Sequence, residues 1–253
     1  MSQAGKPLCG FLNVLKPPGM SSAQVVGTVR RMLNGAKVGH AGTLDPEAAG
    51  VLPLMVGKAA RLFDYMQDKE KAYVAEVAFG AATDTQDAQG TVTAVGENWP
   101  DEAALRAALE RFTGTFLQTP PMFSALKQDG RRLYELARSG VEREIPPREV
   151  TVHALELRAM TQPHAALLAV RCSKGFYVRT LCHDLGKAVG CPAHMRFLLR
   201  TQSGPFTLET AHTLEALERA REQDCLCDLL LPPQAALAHL PMAQVPAGLE
   251  KAV

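Results

Sequence analysis

Long hydrophobic runs are missing from this chain of 253 residues; no stretch approaches the roughly 18 apolar residues of a membrane span. The first residues, MSQAGKPLCGFLNVLKPPG, include no extended apolar region of the kind found in a secretory signal peptide. A cytoplasmic location without a membrane partner is expected. Paired cysteine motifs are scarce as well. Of six cysteines only Cys225 and Cys227 stand close together, and a lone C-x-C pair lacks the four ligands of structural zinc. The seven histidines show no metal-binding spacing, so no metal site is read. No internal repeat is evident, which excludes a solenoid. Net charge is only +1, and such a balance does not by itself demand nucleic acid. Its distribution is less even. Residues 202–253 carry seven acids and three bases, leaving residues 1–201 at net +5. That bias permits a polyanionic partner.

What remains is an ordinary globular composition, 47% hydrophobic and 21% charged. Strand patterns run from Gly10 to Lys16, from Lys71 to Gly80, near 91–95, 150–158 and 166–173. The Lys71–Gly80 stretch alternates and puts Tyr73, Ala75, Val77 and Phe79 on one face. Ser21 or Ser22 caps a helix to about Leu33, ended by Asn34-Gly35. Further helices are expected over 100–112 and 177–189, and the segment from Pro46 to Met66 reads as mainly helical. Residues 113–148, with two Pro-Pro pairs and many bases, read as a less regular insertion. From Pro232 the chain is Pro- and Ala-rich and reads as a linker. Strands mixed irregularly with helices indicate an α+β fold, with one domain over residues 1–231.

The stretch GHAGTLDPEAAG, residues 39–50, concentrates small residues around one His and one Asp. Glycine costs backbone entropy, so such a loop implies a tight turn or close approach to a ligand. Asp45 before Pro46 has two compatible readings. It is a helix cap with proline at the first helical position, or an ionised carboxylate at the centre of a site.

Five motifs occur in order: GFLNVLKPPGMSS from Gly10, GHAGTLDPEAAGVLP from Gly39, Lys71-Ala72-Tyr73, Thr83-Asp84-Thr85-Gln86-Asp87, and SKGFYVRTL from Ser173. Together, from about Gly10 to Arg200, they closely resemble the TruB family of tRNA pseudouridine synthases. The resemblance implies the pseudouridine-synthase fold: a mixed, mainly antiparallel sheet flanked by helices and loops, with an RNA-binding insertion. It also implies isomerisation of uridine 55 in the tRNA T arm, without cofactor or metal, by a monomer whose partner is tRNA.

The family's catalytic aspartate falls on Asp45, its pairing arginine on Arg179, and its active-site tyrosine on Tyr73, which stacks on the target base. His40, Tyr177 and Leu198 match substrate-contacting positions. Lys127, Arg131 and Arg132 belong to a segment, residues 127–148, with six bases and four acids; phosphate contacts there would make binding salt-sensitive. Two departures stand out. Ala81-Ala82 replace a basic residue common before the TDT motif, and residues 232–253 correspond at most to the start of the family's small C-terminal RNA-binding domain. The alternative reading is a tRNA-binding or RNA-folding protein with secondary or lost modification activity.

Overall fold

The structure, a computed structural model, describes residues 8–67, 70–124, 126–128, 130–141, 143–161, 164–237 and 240–241, apart from the side chains of residues 67, 127, 128, 132 and 138. Its frame is a mixed, mainly antiparallel sheet. The sheet strands are β1 (Cys9–Lys16), β2 (Val38–His40), β3 (Ala49–Gly57) and β4 (Lys71–Phe79). A short hairpin of β5 (Ala81–Thr83) and β6 (Val92–Val95) follows, then β7 (Gly114–Gln118), which rejoins the sheet. A second small hairpin, β8 (Lys127–Gln128) with β9 (Arg131–Arg132), precedes β10 (Arg148–Thr161), β11 (Ala165–Cys172), β12 (Ala193–Ser203) and β13 (Phe206–Thr207). The main order is β1-β3-β12-β4-β11-β10-β7. All of these neighbours are antiparallel except β3 and β12, which pair in parallel only at Ala49–Leu199 and Gly50–Arg200.

Helices cover one face of this frame in two groups. The first is α1 (Ser22–Met32), which packs with α6 (Leu214–Glu222) over β1 and β3. Its start shows a full capping box, in which Ser21 Oγ accepts from Gln24 N–H and Gln24 Oε1 accepts from Ser21 N–H. Such a cap is worth about 1 kcal/mol. Asn34 and Gly35 have positive φ just beyond it and stop the helix. The second group is α3 (Glu102–Glu110) and α5 (Val178–Ala188), packed against β4, β10, β11 and β12. On α5, Leu181 and Leu185 are fully buried, about 1.5–3 kcal/mol each by area. The remaining helices are short: α2 (Phe63–Gln67) and α4 (Leu133–Arg138).

The strand expected over Lys71–Gly80 is β4, with Tyr73, Ala75, Val77 and Phe79 all buried on one face. The expected helix over 46–66 is corrected: its first half is β3, followed by a 3-10 turn at Lys58–Leu62 and α2. AGVLPLMVG is apolar on both faces, and such a run reads equally as buried helix or two-sided strand. The tertiary setting selects strand, since every residue from Gly50 to Val56 is buried between neighbours. Pro53 fits because its carbonyl accepts from Ala41 N–H at 2.9 Å. Its missing N–H points the same way, past the end of β2 where pairing stops at His40–Leu54.

The irregular reading of residues 113–148 also fails at its start. Gly114–Gln118 pairs with Arg148–Val152 as the sheet edge. In β7 the hydropathy does not follow the faces, since Leu117 is exposed and Gln118 buried, so the strand carries no sequence signal.

Candidate active site

Because β3 and β12 pair at two positions only, the sheet opens between them. A cleft of about 860 Å³ lies there, lined by Ser22, His40, Asp45, Asp87, Arg179 and Leu198 among others. Two loops form its walls.

The first wall is the Gly-rich loop between β2 and β3. Ala48 N–H donates to the Asp45 carbonyl at 3.1 Å, so Asp45-Pro46 opens a turn that leads into β3. The expected helix cap at Asp45 is therefore corrected, because no helix follows it. Three distant side chains hold this loop. Ser22 Oγ at the start of α1 donates to the Leu44 carbonyl (3.1 Å) and accepts from Leu44 N–H (2.9 Å). Lys16, fully buried at the end of β1, donates to the carbonyls of Pro17 and Pro46 at 2.8 Å and to that of Met20. Arg200 on β12 donates to the carbonyls of Val51 (2.8 Å), Thr43 (3.2 Å) and Gly42 (3.4 Å). Glycine is required at Gly50, where φ is +115° and a Cβ would lie 2.2 Å from the Arg200 carbonyl oxygen.

The second wall is the loop Thr83–Thr91, held by its own side chains. Asp84 Oδ1 accepts from Thr91 N–H at 2.8 Å. Asp87 Oδ1 accepts from Thr85 Oγ1 (2.7 Å) and Gln89 N–H (3.0 Å), and Thr83 Oγ1 donates to the Asp87 carbonyl at 2.7 Å. A Cβ at Gly90 would strike Thr85 Oγ1 at 2.3 Å. The loop then docks on β12 through reciprocal backbone bonds between Met195 and both Gln86 and Ala88, each 3.0 Å.

Arg179, in the first turn of α5, joins the walls. Its Nε lies 3.0 Å from Asp45 Oδ2, and its Nη1 lies 3.7 Å from Asp87 Oδ2 and donates to the Thr85 carbonyl at 3.1 Å. Nη2 donates to the Phe123 carbonyl at 2.8 Å. The Arg179 side chain is 6% exposed, that of Asp45 41%. Loss of hydration in the cleft raises the Asp45 carboxyl above its ordinary value; the Arg179 charge opposes this, and Asp87 reinforces it. Burial also pushes the Lys16 ammonium down to about 8, opposed by Glu47 and Asp45.

The expected residues are distributed unevenly. Asp45, His40, Arg179 and Leu198 come together on the cleft wall. Tyr73 is buried and is not among the cleft's described lining residues; it lies directly opposite Arg200 in the β4–β12 pairing. Burial pushes its phenol up to about 12, so the group is neutral at neutral pH. Tyr177 is half-buried at the N-cap of α5 and is not among the cleft's described lining residues. Its backbone is clamped by Gln118, which accepts from Tyr177 N–H (2.8 Å) and donates to its carbonyl (3.0 Å). Arg131 is exposed on β9, while the side chains of Lys127 and Arg132 lie outside the described residues. Arg200, Lys16, Ser22 and Asp87 were not singled out from sequence. Lys16, Ser22 and Asp87 stand within the quoted motifs and Arg200 at the end of the resemblance, but nothing local shows which loop each one holds.

Residues 30–178 match the N-terminal domain of the TruB family of pseudouridylate synthases, and residues 179–238 match the C-terminal domain of tRNA pseudouridylate synthase B. The chain belongs to the TruB family. It is accordingly a pseudouridine synthase, an isomerase. Among its relatives, tRNA pseudouridine synthase B of Symbiobacterium thermophilum is 50% identical over 248 residues, covering 96% of this chain and 81% of the relative. The protein of the same name from Moorella thermoacetica is 51% identical over 241 residues, covering 94% and 79%. In a Cbf5-Nop10-Gar1 complex, one chain is similar at TM-score 0.73 and 31% identity, over 92% of this chain. A chain of an H/ACA RNP bound to a substrate RNA containing 2'-deoxyuridine gives 0.70 and 28%. This TruB-family chain spans 62% of each of those two solved chains. Among its described residues, no helix is long and apolar enough to cross a membrane.

Proposed function

We propose that this chain converts uridine 55 in the T arm of tRNA to pseudouridine, with Asp45 as the essential carboxylate. The observation that carries this reading is the Asp45–Arg179 contact of 3.0 Å at the wall of a cleft large enough for a nucleotide. Relatives named tRNA pseudouridine synthase B, 50% and 51% identical to this chain over the aligned residues, support this substrate.

The chemistry fits one carboxylate. Breaking the N1–C1′ bond builds positive charge on the ribose, which an adjacent anion stabilises or traps. The freed uracil turns over, its C5 bonds to C1′, C5 gives up its proton, and N1, which carried none while bonded to C1′, takes one up. The leaving group is also the nucleophile, so no second carboxylate is needed to activate water. A uridine stacked in the T arm is out of reach, so it is turned out into the cleft. Arg179 keeps Asp45 oriented and counters the loss of hydration. Leu198 forms the floor on which the uracil packs, with the Tyr73 ring buried beneath it. His40 stands at the mouth and supports the opened RNA, and Tyr177 orders the start of α5. Lys127, Arg131 and Arg132 grip phosphates.

The test is site-mapped pseudouridine formation on an unmodified tRNA transcript. Wild type is expected to modify one T-arm uridine; Asp45→Asn is expected to bind the transcript and leave it unchanged. Binding without modification by wild type overturns the reading in favour of an RNA-binding protein. Likeness to the H/ACA RNP chain favours a second reading, a subunit that works only inside a ribonucleoprotein. Modification of the bare transcript by the purified chain would exclude it.

A further inference from the structure

Strand β12 carries a bulge next to the cleft. Met195 pairs with Val77, Phe197 with Glu76 and Leu198 with Ala75, so Arg196 is the extra residue. In a regular strand with no bulge, Met195 and Phe197 would share one face of the sheet and Leu198 the other. With it, Met195 and Leu198 are both buried on the Tyr73 side, and the consecutive residues Arg196 and Phe197 both turn outward. The Arg196 guanidinium is committed: Nε and Nη2 donate to Glu76 Oε2 (2.7 Å) and Oε1 (2.6 Å), and Thr161 Oγ1 donates to Glu76 Oε1 at 2.8 Å. That network fixes the backbone under Phe197. The ring itself is 41% exposed and lines the cleft.

We propose that Phe197 is a stacking platform for a nucleobase flanking the one turned into the cleft. The inference rests on the reaction proposed above. Leu198 meets the target base on the Tyr73 side. Phe197 has its Cα only about 3.8 Å away but presents its ring on the outer side, where the next nucleotide of the opened strand passes. An aromatic face binds any base, and with Arg196 neutralised by Glu76 the attraction there is stacking rather than charge.

The experiment places 2-aminopurine in tRNA transcripts at each nucleotide flanking the target uridine in turn and follows its fluorescence on binding to the full chain. Stacking on Phe197 quenches one of these probes. Phe197→Ala and Phe197→Leu are expected to lose that quenching and raise the KM for tRNA about 5- to 150-fold, the range for removing one base–aromatic stack. Phe197→Trp is expected to retain both. The ring is partly exposed, so equal melting temperatures should confirm that these variants fold. Wild-type quenching and KM in Phe197→Ala would overturn the platform. Quenching that persists in Asp45→Asn while modification stops supports both readings. Phe197-dependent quenching by a wild type that modifies nothing would leave the platform standing and sink only the proposed reaction.

Discussion

The two loops that meet at Arg179 are built on opposite principles. Loop 83–91 is tied mostly from within: Thr83, Asp84, Thr85 and Asp87 fasten its turns, while Arg179, Thr180 and Met195 dock the finished loop. Loop 41–48, which carries Asp45, has few such ties. It is held by Lys16, Ser22 and Arg200, the last 157 positions from Thr43, where it bonds the carbonyl. A local motif therefore suffices to shape one wall. The other exists only when two separate strands and a helix have assembled around it. Its small residues supply carbonyls at close range, and buried cations from elsewhere collect them.

Four changes break or sharpen this contrast. The largest effect is expected for Arg200→Met, which strips donors from three carbonyls in a buried setting. A loss of about 3–5 kcal/mol in denaturant unfolding is expected, with loss of modification. A loss below 1 kcal/mol would mean that water replaces the guanidinium and that the loop is not held from outside.

Lys16→Met comes next, at about 1–3 kcal/mol near neutral pH, and its pH dependence has a definite sign. Folded Lys16 gives up its proton at about 8, against 10.5 for an ordinary lysine. Between those values the unfolded chain binds more protons, so alkali favours the folded state. The charges that bear on this ammonium are Glu47, Asp45 and Arg200. The stability gap between wild type and Lys16→Met should thus widen as pH rises from 8 toward 10.5. A gap that narrows over this range would refute the assigned shift. Taking the difference removes the opposite contribution of Cys172 and Cys182, whose thiols are raised to about 12.

For the loop tied mostly from within, Thr85→Val removes one hydrogen bond to Asp87. About 1 kcal/mol is expected, with faster amide exchange confined to residues 83–91. Exchange that spreads to residues 41–48 would show the two walls to be one unit.

Asp45→Asn should have the smallest effect on stability. A carboxyl raised in the folded state contributes stability at low pH and loses it as pH climbs through its folded value. At neutral pH the Asn variant should therefore melt at the same temperature or slightly higher. A marked fall in melting temperature would mean that Asp45 is a structural group.

Much of the frame was legible in the sequence. The Ser21 cap, the alternation along Lys71–Phe79 and the apolar stripe of α3 each carry their own period and stop signals. Three features were not. The stretch AGVLPLMVG has no period, because both of its faces are buried. Ala193–Ser203 has its alternation broken by bulges after Met195 and Arg200. Asp45-Pro46 is as good a helix start as a turn, until the next strand draws the chain away.

The sequence by itself determined which residues are proposed to bear the chemistry. Asp45, Tyr73 and Arg179 were singled out from motif and resemblance, because each stands in a short stretch that can be read locally. Only the tertiary structure decided how they are held: that Arg200 lies opposite Tyr73 and gathers the carbonyls of the Asp45 loop, and that a bulge keeps both Met195 and Leu198 inward with Phe197 outward between them. Those facts depend on strand register and on contacts across more than a hundred positions. A side chain's own sequence neighbourhood shows that it is a cation or an aromatic ring, but the partner it meets is set by the packing of the whole sheet.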